Sequence, residues 1–167
     1  LKKLQKSPPL TTLLSPEEPY LAEDLNKFFN TNKLWRFTRG GGEALALAIR
    51  FARSITKTDK ILVCGYHGWH DWYLATNISS KNNLDQAFLQ GLDPVGVPKN
   101  LSESTFTPTN LDENSIEKIL LKEKIKIIVI EAARYEYLSD EISKLIKKFK
   151  KEGGIVIADE VTTGFRV

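Results

Sequence analysis

The stretch CGYHGWHD, residues 64–71, concentrates the side chains of this sequence that could do chemistry. It holds both histidines of the chain, His67 and His70, between Tyr66 and Asp71. A metal site could use the two histidines and the aspartate, but no other histidine in the chain could complete it. A catalytic Ser–His–Asp arrangement lacks the G-x-S-x-G elbow. The third interpretation is an aromatic wall, in which Tyr66 lies against a flat ligand and His67 near its polar edge.

Three glycines precede a helical pattern in the stretch RGGGEA, residues 39–44. At a helix start, the backbone N–H groups of Gly40, Gly41 and Gly42 can converge on an anion, and the helix dipole favours negative charge there. A dinucleotide fingerprint needs glycine or alanine at the position of Leu45 and is therefore excluded. A small phosphate cup and a plain glycine-rich turn remain as alternatives.

Asp159 directly follows the apolar run GIVIA. A carboxylate at the mouth of a buried strand is unfavourable unless a cation or a metal pairs with it. The neighbouring Glu160 faces the opposite way if the strand continues. Two interpretations stay open for Asp159: it caps the next turn, or it is a fixed anion that holds the cationic nitrogen of a ligand.

The elements that must position these groups follow from hydrophobic periodicity. Continuous apolar runs, typical of strands buried on both faces, occur at 60–65, 125–131 and 154–160. Helical patterns separate the runs, so we expect an α/β fold in three layers, α/β/α, with a mainly parallel sheet. Because ligands collect outside the carboxyl ends of parallel strands, the glycines, the octet and Asp159 are expected at one edge.

Other segments give simpler local predictions. The pattern from Ser15 predicts a helix that runs to about Phe29. Residues 35–38, WRFT, are a short strand candidate. Residues 43–55, EALALAIRFARSI, predict a helix that is apolar nearly all round and so largely buried.

Composition limits the classes of function. With 167 residues, 41% of them hydrophobic, the chain can bury a core of ordinary size. The net charge of +3 is mild and the lysines are interleaved with acids, so we expect no nucleic acid partner. No apolar run is long enough to cross a bilayer, so we expect no membrane partner. The single cysteine, Cys64, indicates a reducing compartment and hence the cytoplasm.

A phosphate cup, a flat stacking face and a carboxylate for a ring nitrogen together match one small molecule, pyridoxal 5'-phosphate (PLP). The motifs RFTRGGGEALALAIRFARSITKTDKI, GYHGWHD, GLDPVGVPK and ADEVTTGFR occur in this order. They resemble those of the class III PLP-dependent aminotransferases, in the branch around glutamate-1-semialdehyde 2,1-aminomutase. The family's Ser-Gly-Thr is glycine throughout here, and its Glu-Pro after the middle strand is Glu131-Ala132.

The resemblance implies the large domain of the fold-type-I PLP-dependent transferases and amino-group transfer through Schiff bases on a small amino or keto substrate. Asp159 would pair with the protonated pyridine nitrogen, Tyr66 would stack on the ring beside His67, and Val161 would pack on the opposite face. The remaining cofactor-binding positions that it implies are those of the glycine triplet: Gly40, Gly41 and Gly42.

The resemblance also implies that the sequence is a part of the enzyme. Residues 1–33 would form an N-terminal segment and helix, and residues 34–167 part of the PLP-binding domain. The family's Schiff-base lysine lies beyond Val167, so we expect the chain alone to be inactive and the full-length parent to be a homodimer. Two alternatives are kept, namely a non-catalytic PLP-binding relic of this fold and a metal-dependent hydrolase.

Overall fold

The computed structural model describes residues 15–79, 92–133 and 137–166. The chain forms two compact units, Leu1–Arg39 and Gly40–Val167. In the first unit, helix α1 (Glu17–Phe28) ends one residue before the predicted Phe29.

The predicted strand at residues 35–38 is wrong, because this segment has no regular secondary structure. The Asn26 side chain explains why. Its Oδ1 atom accepts the backbone N–H of Lys33 at 3.1 Å and the indole N–H of Trp35 at 2.9 Å. The Trp35 ring also stacks on Phe29, with centroids 5.9 Å apart. These contacts fold the segment back along α1, where it cannot pair with a strand.

The second unit is an α/β structure, as predicted. Its elements in chain order are α2 (Gly41–Thr56), β1 (Ile61–Cys64), α3 (Asp71–Leu74), α4 (Thr76–Ser79), a 3-10 turn (Lys99–Leu101), β2 (Thr105–Phe106), α5 (Glu113–Glu123), β3 (Ile127–Glu131), α6 (Asp140–Lys151) and β4 (Ile155–Asp159). Among the described residues, the strands form one sheet in the order β2-β1-β3-β4, and every neighbouring pair is parallel. The sequence did not predict β2, since a pair of residues carries no periodicity.

The two faces of the sheet carry separate apolar clusters, because successive side chains of a strand point to opposite sides. One cluster combines strand residues with α2 and α3: Leu45, Ile49, Ala52, Ile61, Val63, Trp72, Tyr73, Ile127 and Val129. The other combines the alternate strand residues with α5, α6 and the turn before β3: Leu62, Cys64, Ile116, Leu120, Ile125, Ile128, Ile130, Ile142 and Leu145. The three-layer α/β/α arrangement is therefore confirmed.

Burial departs from the sequence prediction in two elements. Helix α2 buries a single stripe at i, i+4 and i+7, while Phe51 and Ile55 on its other side are exposed. Strand β4 is half-buried rather than buried, since it is an edge strand of the described sheet. A high apolar content thus did not mean burial on every side.

Residues at the two ends of α6 account for its boundaries. Ser139 Oγ accepts the N–H of Ile142 at 3.3 Å, which caps the first turn. After Lys151, the backbone of Gly153 has a φ of +89°, a conformation that glycine adopts without strain. None of the described helices is long and apolar enough to cross a bilayer.

Candidate functional site

The carboxyl ends of the three long strands meet at one edge of the sheet. There, β3 ends at Glu131 and β4 at Asp159, which are register partners, and both side chains are buried. Strand β1 ends at Cys64 beside them and continues into Gly65, Tyr66 and the octet. The parallel topology thus brings the predicted aromatic and acidic groups together.

Asp159 and His67 form a buried pair. The Nδ1 atom of His67 lies 2.8 Å from Oδ2 of Asp159, and the side-chain exposures are 0% and 6%. The N–H of Val161 donates to the other carboxylate oxygen at 3.0 Å. The structure supports the interpretation that Asp159 caps the next turn, through the Val161 N–H. Its role as the anion for a ligand nitrogen stays a prediction. Glu160 is exposed, as expected for the residue after it.

The second ring nitrogen of His67, Nε2, is closed off from solvent and has no hydrogen-bond partner among the described residues. Leaving a buried polar atom unpaired costs on the order of 1–3 kcal/mol, so such an atom calls for an explanation. With Nδ1–H donating to Asp159, Nε2 presents a lone pair, which is the less costly group to leave unpaired.

The backbone of Tyr66 is held by Glu131, whose Oε2 atom accepts the Tyr66 N–H at 2.8 Å. Gly65, just before it, has a φ of +126°, and a Cβ at this position would lie 2.5 Å from the same Oε2 atom. The half-buried Tyr66 ring meets the ring of Tyr73 edge-on, with centroids 6.0 Å apart. In turn, Tyr73 Oη donates to the carbonyl of Gly65 at 2.9 Å, so contacts from two elements fix the start of this loop.

The glycine triplet forms the start of α2. Gly40 is the extended N-cap residue, and helical geometry begins at Gly41. A Cβ on Gly41 would lie 2.5 Å from Cγ2 of Val161, and a Cβ on Gly42 would lie 2.4 Å from Cε1 of His70. By contrast, nothing lies within 4 Å of a Cβ on Gly40. The first turn of a helix has no intrahelical acceptors for its N–H groups, so these amides are suited to an anion.

The predicted site residues are thus connected through contacts. Gly41 packs against Val161, whose N–H binds Asp159, and Asp159 binds His67, the neighbour of Tyr66. Sequence reasoning missed the role of Glu131. A charged residue that ends a continuous apolar run was the available signal for it.

Metal and thiol chemistry are not favoured at this edge. The residues that the structure describes contain no group of three or more histidine, cysteine, aspartate or glutamate side chains that could hold a metal ion. His67 instead binds Asp159, which leaves the metal-hydrolase alternative without a ligand set. Burial raises the pKa of the Cys64 thiol to about 12, so its thiolate is scarce near neutral pH.

Comparison with known proteins identifies sequence relatives. The chain is 35% identical over 166 residues to the glutamate-1-semialdehyde 2,1-aminomutase of Wigglesworthia glossinidia brevipalpis, a match that covers 93% of the chain. It is 32% identical over 167 residues to the enzyme of the same name from Methanosphaera stadtmanae. The chain spans 37% of the length of each of these relatives. No family model matches it.

Solved structures show the same fold. A structure described as a transaminase with PLP bound superposes with a TM-score of 0.73 at 24% identity, over 92% of this chain and 37% of the other. An omega-transaminase from Sphaerobacter thermophilus gives a TM-score of 0.73 at 20% identity, over 97% and 39%. The resemblance seen in the motifs is confirmed: this chain has the fold of the corresponding part of solved transaminases and is a sequence relative of the glutamate-1-semialdehyde 2,1-aminomutases.

Proposed function

We propose that this chain forms the cofactor-holding part of a PLP-dependent aminotransferase or aminomutase, which moves an amino group on a small amino-carbonyl substrate. The observation that carries the proposal is the buried pair of His67 and Asp159 at the carboxyl ends of the strands. A buried carboxylate at this place suits a cationic ring nitrogen.

The other groups at this edge fit the remaining parts of PLP. The first turn of α2 offers backbone N–H groups to a phosphate, and glycine at positions 41 and 42 leaves room for Val161 and His70 beside this turn. Tyr66 supplies an aromatic ring for one face of the cofactor, and Val161 an aliphatic group for the other. Gly40 belongs to the same phosphate-binding segment.

When bound, PLP supplies an electron sink that stabilises negative charge next to the amino-bearing carbon. The chain's own residues would bind the cofactor and fix its orientation. Asp159 holds the proton on the ring nitrogen, because a buried anion favours the protonated form of its partner. His67 donates to Asp159 and fixes its direction. Glu131 fixes the backbone of Tyr66 by accepting the Tyr66 N–H.

Further properties belong to the same proposal. We assign the parent to class III, in the glutamate-1-semialdehyde 2,1-aminomutase-like branch, as a cytoplasmic homodimer without a nucleic acid or membrane partner. The sequence similarity to the aminomutases supports the branch, and the lone buried Cys64 supports a reducing compartment. The division into residues 1–33 and 34–167 and the supply of the Schiff-base lysine from a position beyond Val167 remain predictions.

Binding of 4'-deoxypyridoxine 5'-phosphate to the full chain tests the proposal. This analogue keeps the phosphate and the ring nitrogen but has no aldehyde, so it needs no lysine. We expect saturable binding by calorimetry, and we expect Asp159→Asn to weaken it by roughly tenfold or more, because an amide cannot hold the ring proton as a carboxylate does.

The matched control is Glu131→Gln, which neutralises the neighbouring carboxylate and keeps an acceptor for the Tyr66 N–H. We expect its affinity to stay close to that of the wild type. Absence of binding to the wild-type chain would contradict the proposal. An equal loss in both variants would also contradict it, since Asp159 would then have no special role.

A further inference from the structure

His70 is the second histidine of the octet, and the proposed function leaves it without a role. Its ring lies against the first turn of α2. A Cβ on Gly42 would lie 2.4 Å from Cε1, 2.8 Å from Nδ1 and 3.3 Å from Nε2 of this ring. The imidazole therefore occupies the space that a side chain at position 42 would need.

Neighbouring groups hold the His70 ring in this place. The indole of Trp69 stacks on it, with centroids 5.2 Å apart and an interplanar angle of 28°. On the inner side of the ring, Nδ1 is closed off from solvent and has no hydrogen-bond partner among the described residues. A buried N–H without an acceptor is costly, so the favoured neutral tautomer carries its hydrogen on Nε2. The available donor of the ring is then Nε2–H.

We propose that His70 is a phosphate-binding residue, whose Nε2–H donates to an oxygen of a phosphate monoester bound at the first turn of α2. This inference rests on the proposed function and names an additional residue of the same site. Gly41 and Gly42 can offer only backbone N–H groups to the phosphate. The side-chain donor comes from the loop between β1 and α3, because no side chain at position 42 would fit beside the imidazole.

A pair of ligands isolates the phosphate contact, namely 4'-deoxypyridoxine 5'-phosphate and the same molecule without phosphate. Calorimetry on the full chain gives the dissociation constant of each ligand. The ratio used here is that of the unphosphorylated ligand to that of the phosphorylated one. His70→Leu fills the space of the ring without a donor. We expect it to weaken binding of the phosphorylated ligand by roughly tenfold and to leave binding of the other ligand unchanged. His70→Gln keeps an amide N–H near the position of Nε2, and we expect it to retain most of the wild-type ratio.

A compensating pair of variants gives a second test. His70→Ala should lower the ratio, and Gly42→Thr in that background should restore it, because the emptied space now accepts a threonine hydroxyl at the same turn. Gly42→Thr alone should bind poorly, since its Cβ meets the imidazole. Ser139→Ala, which removes the cap of α6, serves as the control, with a ratio close to that of the wild type.

The outcomes separate this inference from the function on which it rests. If neither ligand binds the wild-type chain, the proposed function fails and His70 has no phosphate to contact. If both ligands bind but His70→Leu keeps the wild-type ratio, only the role of His70 is overturned, because the ring would then merely fill space. A double variant no better than His70→Ala would overturn that role as well.

Discussion

Glu131 and Asp159 end neighbouring parallel strands as register partners, and both are buried and accept a backbone N–H, but Asp159 also pairs with an imidazole. Glu131 accepts a backbone N–H from Tyr66, which any non-proline residue at that position would offer. Asp159 binds the imidazole of His67, whose other nitrogen has no partner among the described residues. The comparison separates a carboxylate that shapes the loop from one that belongs to the candidate cofactor site.

The largest expected effect on stability is that of Asp159→Ala. The change leaves Nδ1 of His67 buried without its partner and removes the acceptor of the Val161 N–H. We expect a loss of about 3 kcal/mol in the free energy of unfolding, measured by urea denaturation. The double variant, His67→Ala with Asp159→Ala, should recover part of this loss, since no unpaired imidazole then remains and only the Val161 N–H lacks its acceptor. If the losses of the two single variants simply add, the two side chains do not act as a pair.

Gly65→Ala should have the next largest effect. Its φ of +126° strains any L side chain, and the new Cβ would meet Oε2 of Glu131. We expect a loss of about 2 kcal/mol by the same denaturation measurement. Gly96→Ala is the matched control for backbone strain, because Gly96 also has a positive φ but no atom lies within 4 Å of its Cβ position. A loss no larger than that of Gly96→Ala would remove the argument for a close contact with Glu131.

Glu131→Gln should have a smaller effect than either of these changes. The amide oxygen can still accept the Tyr66 N–H, so this hydrogen bond keeps its acceptor and loses only the charge on it. We expect a loss of about 0.5–1 kcal/mol, which is the difference between a charged and a neutral acceptor. A loss in the free energy of unfolding as large as that of Asp159→Ala would mean that the two carboxylates contribute equally to stability, which would contradict this comparison.

Much of this comparison could be anticipated from the sequence, but its decisive contacts could not. The runs of Ile and Val in β1 and β3 predicted buried parallel strands, and that topology placed Tyr66 and Asp159 at one edge. The pairing of His67 with Asp159 joins residues 92 positions apart and depends on rotamers in the folded core. The contact of Glu131 with Tyr66 has the same origin. The apolar content of α2 was misleading, because only one of its sides meets the sheet.

Cys64, which precedes Gly65 in the chain, reports on the integrity of this edge. Burial raises the pKa of its thiol from the usual 9.0 to about 12, so the folded chain should resist alkylation at pH 8. The unfolded chain ionises at the lower pKa, so the contribution of this thiol to stability is full below pH 9 and falls as the pH rises towards about 12. Rapid modification at pH 8 without denaturant would contradict this burial.

A change in stability without a change in ligand affinity is expected at the cap of α6. Ser139→Ala removes the acceptor of the Ile142 N–H and should lower the free energy of unfolding by about 1 kcal/mol. Ligand affinity should not change, because the cap contacts none of the candidate cofactor-binding residues. A changed affinity would show that loss of stability alone can mimic a binding defect in the other variants.

The most direct test of the central claim is an NMR titration of the full chain, labelled with ¹⁵N-glycine, with 4'-deoxypyridoxine 5'-phosphate. We expect the amide signals of Gly41 and Gly42 to shift with saturation. Those of Gly153 and Gly154, which precede the amino end of β4, should stay in place. Shifts confined to Gly153 and Gly154, or no shift at any glycine, would contradict the claim that the carboxyl edge of this sheet binds a phosphorylated B6 cofactor.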